Sequence, residues 1–509
     1  MGFADPFPGY SLVLRALLFG IVPLFSAWQL VRLRRALHVF QLEGYKRARF
    51  LRWCRQNRRR ALFLAPQPAK KALALTGRAW RILAVATAVS VLAILLPAAA
   101  AHLAGGWPYD VGTWAIASAL VFVGAPHILV AADLALSPVQ AVINRRYLDA
   151  ARRKLAAVAP VVIGVTGSFG KTSTKFAIER MLDGEEVLAS PGSFNTTMGI
   201  CRTINERLEQ RHRFFVVEMG AYGRGEIREL CDLVHPTVGV LTAIGPAHLE
   251  RFGSIEAIRT TKYELIESLP PDGIAIMNCD DLEVRALANA TAGRRVVRYG
   301  LDPAGAPQLT AHDVRVTGDG TELAIVDVER GERLEVATRL LGGHAMGHLL
   351  AGVAVATRLG RPLDRLAGPI AAAEAVEHRL QLLAGTGGIT VIDDAYNSNP
   401  DGAAAALEVL AAMPGRRKVI VTPGIVELGS LQYEANERFG EHAARVADEL
   451  IVVAPLNRAA LVSGAQRADG HARVLEVGSL TEARVHLETL LAAGDVVLFE
   501  NDLPDHLEE

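Results

Sequence analysis

The chain has 509 residues, four cysteines, equal numbers of basic and acidic side chains, and a hydrophobic fraction of 50% with mean hydropathy +0.23. That length allows two or three domains, and the hydropathy is high for an enzyme that works only in water. No C-x-x-C pair occurs and no cysteine has a histidine at ligand spacing, which argues against a disulfide scaffold or zinc site and for reduced cytosolic thiols.

Three apolar runs come first: Ala16 to Val31, Ile82 to Ala101 and Gly112 to Ala132. About 20 apolar residues cross a bilayer as a helix. The second and third runs reach that length, and the first does if Arg15 snorkels. The opening "MGFADPFPGYSLVL" has no basic segment and no small-residue cleavage site, so a cleaved signal is not expected. Between Arg32 and Arg81 stand fifteen Lys or Arg and one acid, Glu43. The link "HLAGGWPYDV" has neither Lys nor Arg, and Arg145, Arg146, Arg152, Arg153 and Lys154 follow the third run. The positive-inside rule then predicts three crossings, the N-terminus outside and everything after about residue 135 in the cytosol. The expected location is the cytoplasmic membrane, multi-pass, with the catalytic domains cytosolic. The basic loop is expected to meet anionic lipid headgroups, not nucleic acid.

Beyond residue 150 the pattern changes. "VVIGVTG", "FFVVEMG", "VGVLTAIG", "GIAIMN", "ITVIDDAY", "RKVIVTPG", "ELIVVAP" and "DVVLFEN" read as buried strands, with helical stretches such as "SIEAIRTTKYELIESL" and "DGAAAALEVLAAM" between them. Alternating strands and helices imply an α/β fold with parallel, doubly wound sheets. Ligands of such sheets sit at the carboxyl ends of strands, which here carry Thr166 to Thr172, Glu218, His248 and Asp394. Thr310 to Thr338 alternates with glycine turns and predicts an antiparallel insertion. "AGTGG" at Ala384–Gly388 suggests a boundary, giving an anchor (1–150), a central domain (151–385) and a C-terminal domain (386–509).

The stretch "GVTGSFGKTSTK" (Gly164–Lys175) nearly matches the phosphate loop G-x-x-x-x-G-K-[ST], but Val165 stands where the first glycine belongs. A glycine turn between strand and helix still offers backbone N–H groups and a helix N-terminus to phosphate. Lys171 would neutralise β/γ-phosphates and Thr172 would reach Mg²⁺. With its displaced glycine, T-G-S-F-G-K-T-S-T resembles the phosphate loop of the Mur ligases, which use ATP to join an amino acid or dipeptide to a carboxylate in cell-wall synthesis. Six further segments resemble the family in its order: "SPGSFNTTMGI", "VVEMGAYGRGEI", "GPAHLERFGSIEAIRTTKYELIESLP", "EHRLQ", "IDDAYNSNP" and "PGIVELGS". They are most similar to members that add D-alanyl-D-alanine to a UDP-muramoyl tripeptide, and the likeness covers about residues 155 to 455. It implies a central parallel-sheet ATPase domain and a Rossmann-like C-terminal α/β domain.

The resemblance also assigns residues. Thr166, Gly167, Ser168, Gly170, Lys171, Thr172 and Ser173 would form the nucleotide loop. Thr172, Glu218 and His248 would hold Mg²⁺. Lys262 would carry CO₂ as a carbamate and hold a second Mg²⁺, which needs a neutral amine and hence a lowered pKa. Lys171, Lys262 and His248 would be catalytic, and Arg379, Asp394, Asn397 and Asn399 would contact ATP. The chain departs from the family in three places. G-x-H-N-x-x-N appears as "GGHAMGH", with Ala345 and His348 in place of asparagines. The C-terminal K-G-S-R-like ending is replaced by "LFENDLPDHLEE". The N-terminal UDP-binding domain is replaced by the anchor. The implied function is a membrane-anchored ATP-dependent amide ligase, with a carboxylate donor that is lipid-linked or polymeric and an amino acid or dipeptide acceptor. A tethered ligase of the ordinary UDP-muramoyl tripeptide, a capsule-type polyglutamate synthase and a non-catalytic nucleotide-binding scaffold are the alternatives.

Overall fold

The computed structural model describes residues 28–58, 73–105, 109–182, 186–192, 194–246, 252–395, 398–426 and 428–502. The chain divides into two units, Met1–Arg146 and Tyr147–Glu509. All but the last four residues of the first apolar run lie outside the described residues.

In the first unit, α1 (28–42) and α2 (Arg47–Gln56) precede the apolar helices α3 (Gly77–Gly105) and α4 (Tyr109–Val158). Both α3 and α4 are long and apolar enough to cross a membrane. Their outward positions stay apolar: Leu92, Leu95, Leu96, Leu103, Ile116 and Leu120 are exposed. Leu33, Leu37, Phe40, Phe50, Ile82 and Leu129 form the unit's core. Asp133, directly after the third apolar run and 3% exposed, accepts from Arg47 (2.7 Å) and Arg78 (2.8 Å). Two guanidinium groups compensate the buried carboxylate, which alone would be costly. The helix does not stop where the third apolar run ends; it continues through "RRYLDAARRKLAAV", rich in strong helix formers, and the unit boundary falls inside it.

The second unit contains two sheets. The first has strand order β2-β3-β1-β4-β5-β6-β7-β8-β9, with β1 (Val161–Thr166), β2 (Val187–Ala189), β3 (Phe214–Glu218), β4 (Val238–Leu241), β5 (Ile274–Asn278) and β6 (Arg295–Tyr299) parallel. The three strands β7 (Leu309–Thr317), β8 (Gly320–Asp327) and β9 (Glu332–Thr338) pair antiparallel, as the glycine turns between Thr310 and Thr338 predict. Both faces of β1 are covered. Ile163 and Val165 join one core with helices α5 (Lys171–Leu182) and α10 (Gly342–Arg358), while Val162 joins the other. That second face holds α6 (Thr197–Arg207), α7 (Glu226–Val234), α8 (Ile255–Glu267) and α9 (Leu282–Ala290).

The second sheet has order β10-β11-β15-β12-β13-β14. Its strands are β10 (Gln381–Ala384), β11 (Thr390–Asp394), β12 (Lys418–Thr422), β13 (Glu449–Val453), β14 (Arg473–Val477) and β15 (Val496–Glu500). Only β10 is antiparallel among these described strands, so the sheet begins just before the Ala384–Gly388 break. Helices α12 (Pro400–Ala412) and α13 (Gln432–Val446) pack on it around Leu407, Leu410 and Phe439; here α11 is Ala367–Ala371.

Candidate active site

The site forms where parallel strands end. β1 gives way to the glycine loop after Thr166, and α5 starts at Lys171, so the helix N-terminus and its unpaired N–H groups face the loop. Two glycines are required by their neighbours. A Cβ on Gly167 would lie 2.0 Å from Thr242 Oγ1, and one on Gly170, at φ +75°, would lie 2.3 Å from His348 Cε1. Thr242, just after β4, braces the loop by donating to Phe169 O at 2.5 Å, and Ser168 N donates to Ala243 O at 2.7 Å.

Lys171 Nζ donates to Gly167 O (2.7 Å) and Ser168 O (3.0 Å). Burial lowers its pKa to about 8; Glu218 opposes the shift and the positive charge of Arg379 adds to it. The register of β3 on β1 sets Val165 beside Glu218, which places this carboxylate at the loop. Glu218 is 1% exposed and fully engaged: Thr172 Oγ1 donates to it at 2.9 Å, Lys175 Nζ at 3.4 Å and Asn195 Nδ2 at 3.2 Å.

Lys262, on α8, is 4% exposed and shares a cavity of about 50 Å³ with Gly167, Ser168, Lys171, Asn195, Gly220, Ala221, Tyr222 and Phe252. Burial, then the charge of Lys171, brings its pKa down to about 7 against opposition from Glu226 and Glu264. About half of the amine is therefore neutral near pH 7, against almost none at the ordinary value. Two residues on, Glu264 accepts from Gly225 N (2.8 Å) and Arg228 N (3.0 Å), capping α7 from a neighbouring helix.

The segment before β10 reaches the same site. His378 (φ +59°) and Leu380 (φ +47°) hold left-handed backbone on either side of Arg379; burial lowers the pKa of Lys171, Lys175 and His348, and the charge of Arg379 adds to it. Asp394 ends β11, accepts from Leu380 N at 3.0 Å and is raised to about 6 by burial. Its carboxylate thus steadies the Arg379 segment. Asn399 caps α12 by accepting from Gly402 N at 3.0 Å. Thr166 donates to Met219 O at 2.9 Å and Ser168 to Gly245 O at 3.0 Å, while Ser173 stands in the first turn of α5. His248 and Asn397 lie outside the described residues. Among the described residues no group of three or more His, Cys, Asp or Glu is gathered for a metal.

Comparison with known proteins decides the family. Residues 165–356 match the Mur ligase middle domain and residues 378–500 the Mur ligase glutamate ligase domain. The UDP-N-acetylmuramoyl-tripeptide–D-alanyl-D-alanine ligase of Mycobacterium tuberculosis is 34% identical over 380 residues, 68% of this chain and 71% of that protein. The chain belongs to the Mur ligase family. Its Escherichia coli relative of the same name is 33% identical over 283 residues, 55% of this chain and 62% of the relative. Among solved structures, the MurF ligase of Thermotoga maritima in complex with ADP superposes with TM-score 0.63 and 26% identity, covering 72% of this chain and 81% of that one. MurF from Acinetobacter baumannii gives 0.62 and 25%, covering 70% and 77%. This Mur ligase is accordingly an ATP-dependent enzyme that forms amide bonds.

Sequence reasoning missed several residues of this Mur ligase site. Lys175, Asn195, Thr242 and Glu264 were not singled out, although Asn195 lies within the "SPGSFNTTMGI" segment. Nothing in the local pattern marks Lys175, which reads as an ordinary helix lysine. His348 lies against Gly170 with Nδ1 3.1 Å from Thr174 Oγ1. Burial lowers its pKa to about 3, so it is neutral there.

Proposed function

We propose that this Mur ligase is attached to the cytoplasmic membrane and activates a carboxylate as its acyl phosphate for attack by the amine of an amino acid or dipeptide. The product belongs to a cell-wall or cell-surface polymer. One observation carries the reading: Lys171 and Lys262, whose pKa burial brings down to about 7, line a single cavity, and Asn195 on its wall donates to Glu218, which in turn accepts from Thr172.

The residues suit the groups the family implies. Adjacent carboxylate and hydroxyl oxygens are hard donors of the kind Mg²⁺ prefers, so Glu218 and Thr172 would hold one ion, with His248 as a further ligand. A buried neutral amine can add CO₂, and Lys262 as its carbamate would hold the second. These ions supply charge neutralisation at the phosphates. The loop's backbone amides and Lys171 would bind the triphosphate, and Arg379 would approach it from the segment before β10. The donor carboxylate then displaces ADP from the γ-phosphoryl group, and the acceptor amine expels phosphate. Positive charge at the oxyanion of that second step is where catalysis of this type gains most.

The names of the relatives make a muramoyl tripeptide and D-alanyl-D-alanine the first donor and acceptor to test. The two apolar helices support a donor at the bilayer, either a lipid-linked muramoyl peptide or a growing polyamide. Mass spectrometry of products from purified protein, ATP, membrane extract and a panel of amino acids and dipeptides should show one precursor gaining the acceptor mass less water. Nucleotide binding with no product across the panel would instead favour a scaffold.

A further inference from the structure

Lys175 has no part in the chemistry described so far, yet it is a buried cation of the site. It is 0% exposed, on the second turn of α5. Its ammonium donates to Gly192 O at 2.5 Å and to Glu218 Oε2 at 3.4 Å, and lies 4.5 Å from the Phe176 ring centre. An ammonium is buried at high cost unless paired, so this pairing is a built feature. The loop that Gly192 belongs to is tied to Glu218 twice more. Glu218 N donates to Ser190 Oγ at 3.1 Å, and Asn195 Nδ2 donates to Glu218 Oε1 at 3.2 Å.

We propose that Lys175 is a positioning residue, an internal counter-ion that holds the Glu218 carboxylate and the backbone at Gly192 together and competes with a divalent cation for Glu218. The inference rests on the reading of Glu218 as a metal ligand. The geometry gives it a distinctive sign. A cation on Glu218 meets the Lys175 ammonium as a like charge, so removing that ammonium should strengthen cation binding. A purely structural lysine would do the reverse, because loosening the site would weaken every ligand.

The test uses the full chain in detergent, with Mn²⁺ as the probe, read by electron paramagnetic resonance and by thermal melting. Lys175→Met should melt lower than the parent without divalent ion, bind Mn²⁺ about tenfold more tightly or better, and recover more Tm on adding Mn²⁺ than the parent does. Lys175→Arg, which keeps the charge, should bind Mn²⁺ as the parent does. Glu218→Gln should lose this binding. If Lys175→Met binds Mn²⁺ no better, or melts low and is not rescued, while Glu218→Gln still loses the ion, the counter-ion role is wrong and the metal reading stands. If Glu218→Gln binds Mn²⁺ as well as the parent, the metal reading itself fails. Should Lys175→Met not fold, Lys175→Gln, which keeps a donor without the charge, carries the same expectation.

Discussion

At the scale of single residues, the cavity around Lys171 and Lys262 sets two expectations. Lys262→Ala should lower turnover about 10²–10³-fold, the usual size of a lost electrostatic contact to developing charge. If the lysine acts as a carbamate, added formate or acetate should restore activity in a saturable way and leave the parent unaffected. A fully active Lys262→Arg would contradict the role. The pH dependence follows from the depressed pKa. Lys262 titrates near 7 in the fold against an ordinary 10.5. Across that interval the unfolded chain binds the extra proton, so this group's contribution to stability rises with pH. The Tm of the parent should therefore rise relative to that of Lys262→Met between pH 7 and 9, and a flat difference would place the amine in solvent. Lys171 is shifted in the same direction, to about 8, and Lys171→Ala should cost about a hundredfold or more in rate with folding intact.

At the scale of elements, the loop's shape depends on what packs against it. Gly167→Ala would force its Cβ onto Thr242 Oγ1, displacing the loop that Ser168 and Thr242 brace. Nucleotide affinity, measured by calorimetry with ADP, should be lost while far-ultraviolet circular dichroism is unchanged; ordinary ADP binding by this variant would mean the loop tolerates the shift. Glu264→Ala removes the cap on α7 and should cost about 1 kcal/mol there, seen as faster hydrogen exchange at the start of α7. Much of this architecture was legible in the sequence. The long apolar runs ending in glycine, "VVIGVTG" and "FFVVEMG", became β1 and β3 because a central parallel strand is buried on both faces. β6 ("RVVRY") and β14 ("RVLEV") were not read, since they are partly exposed and broken by charge. β2 is three residues long and carries almost no pattern. The site divided in the same way. Lys171, Glu218 and Lys262 sit in recognisable motifs, whereas Lys175 reaches Gly192 and Glu218, 17 and 43 residues away, and Glu264 reaches partners 36 or more away, which spacing along the chain does not reveal.

At the scale of the whole molecule, the claim is a ligase on a membrane anchor. Topology is one part of it. If the basic loop is cytosolic and the link between the two apolar helices is outside, a cysteine placed at Leu103 should react with an impermeant reagent in intact cells and one at Asn57 should not; the reverse pattern overturns the orientation. Chemistry is the other part, and it turns on how the carboxylate is activated. The most direct measurement follows oxygen from a donor carboxylate labelled with ¹⁸O during turnover with ATP. The account predicts ADP and amide in equal amounts, with one labelled oxygen in each phosphate released. AMP in place of ADP, or phosphate free of label while amide forms, would contradict it.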